Sequence, residues 1–381
     1  GTDPTNASTA YTGPISVNQT TLFRARCFST NTSLLPSFIE SNTYFINITH
    51  TLPVVSLGGQ FASLFSSWGG FKLPSSFEYF DKTGAFQFEG YGESDKHGND
   101  SWAYAQKGID YVVRDEYGYE NEFDYQIFHT KTRQKFKRLI IKAAASDNYT
   151  GFGGNSCHIR DAYIQSLSQR AGLNLDSRTS ESCIVYINGQ YWGVYELREK
   201  HMDPDYTDYY YNQPSDSIDN LAYWGGLQIR NGSDTGWVNL FNFIMANSMT
   251  NVANYAYVES KLSFKSLVDY MVYNSYVVNS DFINWNSAWW RGRATQGDKK
   301  KWRYWMWDMD NVYDLGENYS GLTTTDMNSL PCDYSTQFPP SSGPNEGHPA
   351  ILEKLLTNPD CDFPKAFPSD TLTSEYNLFV W

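Results

Sequence analysis

The sequence predicts an α+β protein, strand-rich over residues 1–200 and helix-rich beyond them. Three observations carry this. Apolar and polar residues alternate in short runs from residue 20 onward, among them TTLFRARCF, NTYFINIT, AFQFEGYGE and KGIDYVVRDEYG; period two is the mark of strands with one buried face. Asn188-Gly189 separates two such runs, CIVYI and QYWGVYELREK, and Asn-Gly in that setting is the strongest short-range hairpin signal. Apolar residues then recur at helical spacing in WVNLFNFIMA (237–246) and across 254–278.

Taken in order, residues 1–50 read as a small β unit, punctuated by TDPT and TGP. HTLPVVSL (50–57) is a connecting strand into the main domain. The run Gly90-Tyr91-Gly92-Glu93-Ser94-Asp95-Lys96-His97-Gly98 reads as a glycine-rich loop between antiparallel strands. Such a loop can cradle phosphates with its backbone N–H groups; a plain surface loop is the alternative. FKRLIIKA (136–143) is a short apolar strand ending on Lys142, and IRDAYIQSLSQRAG (159–172) has helical spacing with Gly172 in its C-cap region. Residues 205–235, rich in Tyr and Asp, are expected to be an insertion or lid. Residues 302–307 read as an apolar strand, the chain beyond Gly316 as low in order, and PAILEKLL (349–356) as a restarted helix.

Composition narrows the function. Hydrophobic residues make up 40% and aromatics 17%, enough for a real core and against disorder. A net charge of −13 and a pI near 4.9 argue against a nucleic-acid partner, although basic residues cluster at 131–142 and 299–303. No apolar stretch reaches membrane-spanning length. The five cysteines, Cys27, Cys157, Cys183, Cys332 and Cys361, lack zinc spacing; Cys157–Cys183 and Cys332–Cys361 are expected as disulfides, with Cys27 left over. Eight Asn-x-Ser/Thr sites occur, at Asn6, Asn18, Asn31, Asn47, Asn99, Asn148, Asn231 and Asn318. That number is only mildly above chance; it is the composition, rich in Ser, Thr, Asn and Tyr and poor in Lys, that points to an exported, extracellular or cell-surface protein, in which such sites can carry glycans.

The chemistry concentrates between Tyr276 and Gly316. An apolar run (267–278) leads into Asp281, Asn286 follows five positions later, and the run 302–307 ends on Asp308 and Asp310. An Asp, an Asn five residues on, and a strand carrying a later acid is the pattern of the lower half of a kinase site. Strand with terminal Lys142, helix, Asn-Gly hairpin and polar connection is likewise the order of a kinase upper lobe. The bland reading of Asp-x4-Asn is a loop with an Asx turn. His158, His201 and His348 have no ligand spacing and read as satisfied or exposed histidines; Trp289-Trp290 and the aromatics of 302–307 read as core.

Two resemblances follow. Gly1-Thr2-Asp3-Pro4, Ala10-Tyr11-Thr12-Gly13-Pro14, the strand 21–25 and Pro36-Ser37 resemble the chitobiase/β-hexosaminidase C-terminal-like domain, an immunoglobulin-like sandwich. The strand that precedes the first turn in that family is missing, so the chain is expected to begin inside a domain and to be a piece of something longer. Phe77-Glu78-Tyr79-Phe80-Asp81, Gln106-Lys107-Gly108, residues 139–148, Ile159-Arg160-Asp161-Ala162, VYINGQYWGVY (185–195) with Arg198-Glu199-Lys200, and Asp281…Asn286…Asp308-Met309-Asp310 resemble the CotH kinase family over residues 51–316. That resemblance implies an atypical protein-kinase-like, two-lobed fold: a partial sandwich over 1–50, a β-rich N-lobe with one helix over 51–204, and a C-lobe over 205–381.

It also implies phosphoryl transfer from ATP with Mg or Mn to protein hydroxyls. In this reading Asp281 orients or deprotonates the acceptor, and Asn286 with Asp308 or Asp310 holds metal, Asn284 competing with Asn286. Lys142 or Lys107 meets the nucleotide phosphates, with Gly90, Gly92 and Glu199 also at the nucleotide and Glu196 as a further candidate. No partner acid for Lys142 is obvious; Asp161, near the helix start, is short of its reach. Where the family often reads Asn-x-Asp-Trp, this chain reads Asn279-Ser280-Asp281-Phe282. The reading from a different class is a catalytically silent structural or adhesive component of a surface, matrix or filament, with assembly contacts through the sandwich module.

Overall fold

The computed structural model describes residues 1–148, 156–277, 279, 281–282, 285–313 and 343–359. The chain divides into two units, Gly1–His158 with Thr179–Lys200, and Ile159–Arg178 with His201–Trp381. Helical and strand content is mixed, with several sheets and seven α-helices among the described residues.

The first unit begins with β1 (Thr21–Ala25) and β2 (Glu40–Tyr44), an antiparallel pair. They are the only strands among residues 1–50 and form a two-stranded ribbon. The ribbon is tied to the strands beyond it: the Thr43 N–H donates to Glu78 Oε1 at 2.9 Å and the Thr43 and Ser56 hydroxyls are 2.7 Å apart. The next elements are β3 (Val54–Gly58), α1 (Phe61–Ser66), β4 (Leu73–Phe80), β5 (Phe86–His97), β6 (Gly108–Val113), β7 (Phe123–Asp124), β8 (Lys135–Phe136), β9 (Arg138–Lys142), β10 (Ser180–Ile187) and β11 (Gln190–Glu199). Seven of these close a barrel in the order β10-β11-β9-β6-β5-β4-β3. All its pairings are antiparallel except β10 with β3. Alternate residues fill the interior: Val55 and Leu57, Ile109 and Tyr111, Leu139 and Ile141, Cys183, Val185 and Ile187, and Tyr195 and Leu197 form one buried cluster. Closure leaves no bare edge in the barrel.

The β10–β11 turn is the expected Asn-Gly hairpin, with Asn188 at φ +54° and Gly189 at φ +77°, the left-handed pair that a tight twisted hairpin requires. Asn188 also pins the tip to the end of β3, its Oδ1 accepting from Gly59 N at 3.0 Å and its Nδ2 donating to Gly59 O at 2.9 Å.

Three expectations are corrected in this unit. Residues 90–97 are not a loop; they lie inside the continuous 12-residue β5. The glycines are packing residues: a Cβ at Gly92 would stand 2.0 Å from Val112 O, and one at Gly90 would stand 2.6 Å from Phe123 Cε1. Cys157 and Cys183 are free thiols. Cys183 points into the barrel interior, whereas Cys157 is exposed, with its thiol against Asp147 Oδ2 at 3.4 Å. Cys332–Cys361 lies outside the described residues. Asn148 is buried, its amide donating to Ala143 O at 2.8 Å, so this acceptor nitrogen is already used.

The second unit holds α2 (Arg160–Arg170), α3 (Pro204–Tyr211), β12 (Ile218–Tyr223), β13 (Leu227–Asn231), α4 (Thr235–Ala246), α5 (Val252–Lys261), α6 (Phe264–Tyr276), β14 (Ser287–Gly292), β15 (Arg303–Tyr304) and α7 (His348–Leu356). Its sheet order is β13-β12-β14-β15. Residues 205–235 are therefore not a lid. Asp203 caps α3 through its side chain, with Pro204 in the first turn, the arrangement that starts a helix. Ile218 to Ala222 are buried in an inner strand. The helical run 254–278 is two helices, because the Ser263 side chain caps a fresh start by accepting from Ser266 N. Residues 302–306 are extended but change partners residue by residue: Trp302 N bonds Lys261 O, Trp305 N bonds Ala288 O and Met306 N bonds Asp176 O. Only Arg303–Tyr304 pairs as a regular strand. Trp289, Trp290, Trp302 and Trp305 are fully buried, with the core built on α4, α6 and the sheet.

Candidate functional site

Helix α6 delivers the chain to Asp281. After its last turn Asn279 N bonds Asn274 O at 3.0 Å, and the Asn279 amide donates to Asn274 Oδ1 at 2.8 Å and meets Met309 Sδ at 3.6 Å. Asn279 Oδ1 in turn accepts from Asp281 N at 3.1 Å. One side chain thus joins the helix end, the Asp281 turn and the acidic segment.

Asp281 is half-buried. Its Oδ2 accepts from Asn286 Nδ2 and its Oδ1 from Asn311 Nδ2, both at 3.1 Å. Asn286 is buried and left-handed at φ +53°, a conformation that Asn tolerates better than other side chains. Two amide donors, one to each oxygen, fix the orientation of this carboxylate. The structure thus joins Asp281 and Asn286 directly, and brings the Asp308-Met309-Asp310 segment to them through Asn311.

That acidic segment is anchored from α2. Met309 N donates to Asp161 Oδ1 at 2.8 Å. Asp161 is buried and holds Arg178 at 2.8 Å; its Oδ1 also accepts from Gln165 Nε2 at 3.3 Å. Asp161 is the post on which the backbone between the two acids hangs. Asp310 is buried, and Asp308 is half-buried and left-handed at φ +47°. Asn284 lies outside the described residues.

The remaining candidates belong to the first unit. Lys142 is buried at the end of β9, with Glu196 of β11 as its cross-strand neighbour; Glu196 Oε2 accepts from Arg198 Nε at 2.7 Å. Glu199 is fully buried and accepts from Lys131 Nζ at 2.6 Å and Arg133 Nη1 at 3.0 Å, so two cations of its own unit neutralise it. Lys107 donates to Trp102 O and to Tyr104 O, the latter at 3.0 Å, and stands over the Trp102 ring. Its ammonium closes the β5–β6 connection, and burial lowers its pKa. Of the histidines, His348 bonds Tyr304 OH at 2.9 Å and Asn345 O at 3.1 Å. Burial brings its pKa down to about 3, which leaves it neutral.

Asn311 and the anchoring role of Asp161 were missed from sequence; the one available signal was Asn311 directly after Asp310. Among the described residues no three His, Cys, Asp or Glu side chains cluster as a metal centre. Toward Asp281 the Asn286 and Asn311 amides present their N–H groups; carboxylate oxygens such as those of Asp308 and Asp310 are hard ligands of the kind that suit Mg or Mn and disfavour soft metals.

Residues 1–44 match the family model described as Fn3 associated. No curated protein matches the chain. Residues 97–362, more than half of the chain and including the whole Asp281–Asp310 segment, match the family model described as CotH kinase protein: the chain belongs to the CotH kinase family, and an Fn3-associated segment stands at its N-terminus.

Proposed function

We propose that this chain transfers a phosphoryl group from ATP to a Ser or Thr hydroxyl of a protein, using Mg or Mn, outside the cell or at its surface. The observation that carries this is the Asp281 carboxylate held by Asn286 and Asn311 beside the acidic segment that Asp161 anchors. Asp281, half-buried, orients the acceptor hydroxyl and takes its proton as the oxygen bonds to the γ-phosphorus and ADP leaves. Asn286, Asp308 and Asp310 are the oxygen donors that would hold the divalent ion. When bound, the ion supplies neutralisation of phosphate charge. Lys142 is the lysine assigned to nucleotide phosphate. Catalysis in such a site is positioning and electrostatics, and the support for it is that Asn286 and Asn311 fix Asp281 while Asp161 holds Met309 N.

A silent scaffold that keeps the fold is the second reading. It is favoured by two candidate nucleotide contacts engaged within the first unit: Lys107 hydrogen-bonded to two backbone carbonyls and Glu199 ion-paired with Lys131 and Arg133. The test is a thermal-shift titration with ATP and Mg or Mn, followed by phosphotransfer to protein acceptors. The expected result is a metal-dependent rise in melting temperature that Asp308→Asn with Asp310→Asn abolishes. Asp281→Asn should keep the shift while lowering transfer by roughly 10²–10⁴-fold. No shift in the wild type at saturating nucleotide and metal sinks the phosphotransfer reading in favour of the scaffold.

A further inference from the structure

Two tryptophans outside the core are joined to the Asp281 turn, Trp285 through its backbone and Trp224 by packing on Trp285. Trp285 N donates to Asp281 O at 3.0 Å, so the turn that sets the carboxylate also sets this indole. Asn286, the next residue, bends inward through its left-handed conformation to reach Asp281. Trp285 is left turned outward, 38% exposed.

Trp224, at the tip of the β12–β13 hairpin, is exposed to the same extent and packs edge-to-face on Trp285, with ring centroids 5.2 Å apart and planes at 74°. The hairpin is shaped for this contact. Gly225 is left-handed at φ +59°, and a Cβ there would lie 2.6 Å from Trp285 Cη2. Backbone therefore lies directly on the Trp285 ring. The tip is closed by Trp224 N to Gly226 O at 3.1 Å.

A core tryptophan would be covered on all sides, as Trp237 and Trp289 are. A tryptophan exposed by chance would not be braced by a glycine hairpin and a second indole. Rigid, half-open aromatic pairs bind rings at little entropic cost, because the receptor side is already ordered.

We propose that Trp285 and Trp224 are the specificity-determining pair for the acceptor: they hold a ring, aromatic or proline, on the protein segment that brings its Ser or Thr hydroxyl to Asp281. This rests on the phosphotransfer reading and names the substrate class it acts on, ring-flanked hydroxyls in extended segments. The pair takes no part in proton transfer and touches no phosphate; it sets which hydroxyl reaches Asp281.

The test uses the whole chain and fluorescein-labelled peptides. One set carries a single Ser in a Gly background with a Tyr, Phe or Pro walked through the positions on either side. The control peptide has Gly at every flanking position. Binding is read by anisotropy and transfer by labelled ATP. One or more ring positions should bind more tightly and show a lower KM than the control. Trp224→Ala and Trp285→Ala should erase that advantage, raising KM for the ring-bearing peptide roughly tenfold or more. They should leave kcat and the ATP–metal thermal shift unchanged, and Trp285→Phe should restore most of the advantage. Ring-dependent binding lost in Trp224→Ala, without transfer to any peptide, keeps the aromatic site and removes the phosphotransfer reading. Ring-bearing and control peptides treated alike by the wild type, including no binding of either, overturn the aromatic site whether or not transfer occurs. So does a Trp224→Ala variant that weakens both peptides equally.

Discussion

Glu78 is 2% exposed, and its carboxyl accepts from both the backbone and the hydroxyl of Thr43. It stands opposite Glu89 in the β4–β5 register. Burial pushes its pKa up to about 7, the Thr43 bonds oppose the shift, and Glu89 and Glu40 add to it. The folded state therefore holds this proton more tightly than the unfolded chain, so the stability it contributes is complete below the ordinary value of 4.5 and is lost as pH rises through 7. Linkage puts the loss at roughly 3 kcal/mol. A Glu78→Gln variant should flatten that slope in urea unfolding measured between pH 4.5 and 8; an unchanged slope would place the proton elsewhere. Residues of this kind were hidden in the sequence, since nothing local marks Glu78 as buried against a strand 35 positions away. Asp281 and Asn286 could be read because their contact spans five positions. Asn311 and Asp161 could not, because they act across 30 and 148 positions.

Among the elements, β5 teaches most. Glycines scattered through a polar-looking run read as a loop, and that reading fails because alternation was judged without the neighbouring strands. Gly92 faces the backbone of β6 at a distance no side chain allows, and glycine inside a strand often marks such an approach. Gly92→Ala should destabilise the barrel by several kcal/mol through overpacking and depress its melting temperature with or without nucleotide. A stable variant that merely lost nucleotide binding would restore the phosphate-loop reading. The hairpin at Asn188-Gly189 and the strand ending on Lys142 were legible, because turn chemistry and apolar runs are local signals. Helix α3 was signalled by Asp203-Pro204, yet its segment was read as an insertion or lid. Tyr206 is buried against Trp305, a partner no window around α3 contains.

For the molecule as a whole, two cores imply two sets of stability determinants. The barrel cluster draws only on the first unit and the α4–α6 cluster only on the second. Arg178→Met strips the partner from buried Asp161, and breaking such a pair costs about 3–5 kcal/mol. Hydrogen exchange should show that loss in α2, α6 and the sheet of the second unit, with the barrel amides still protected; equal loss in both would mean one cooperative structure. The mixed α+β class was legible from composition and periodicity. The barrel's closure was not, because a parallel pairing of β10 with β3 joins residues 184–187 to 54–57, and no local pattern announces it. That closure has a consequence for biosynthesis. A ribosome releases β3 to β9 first, then α2, whose anchored partner Met309 comes far later, and only afterwards the two strands that seal the sheet. Throughout that interval β3 and β9 offer bare hydrogen-bonding edges to any neighbouring chain. The nascent protein is therefore most open to clumping on crowded polysomes while residues 143–199 are being made, and chaperone capture or slow translation there governs how much of it survives to fold.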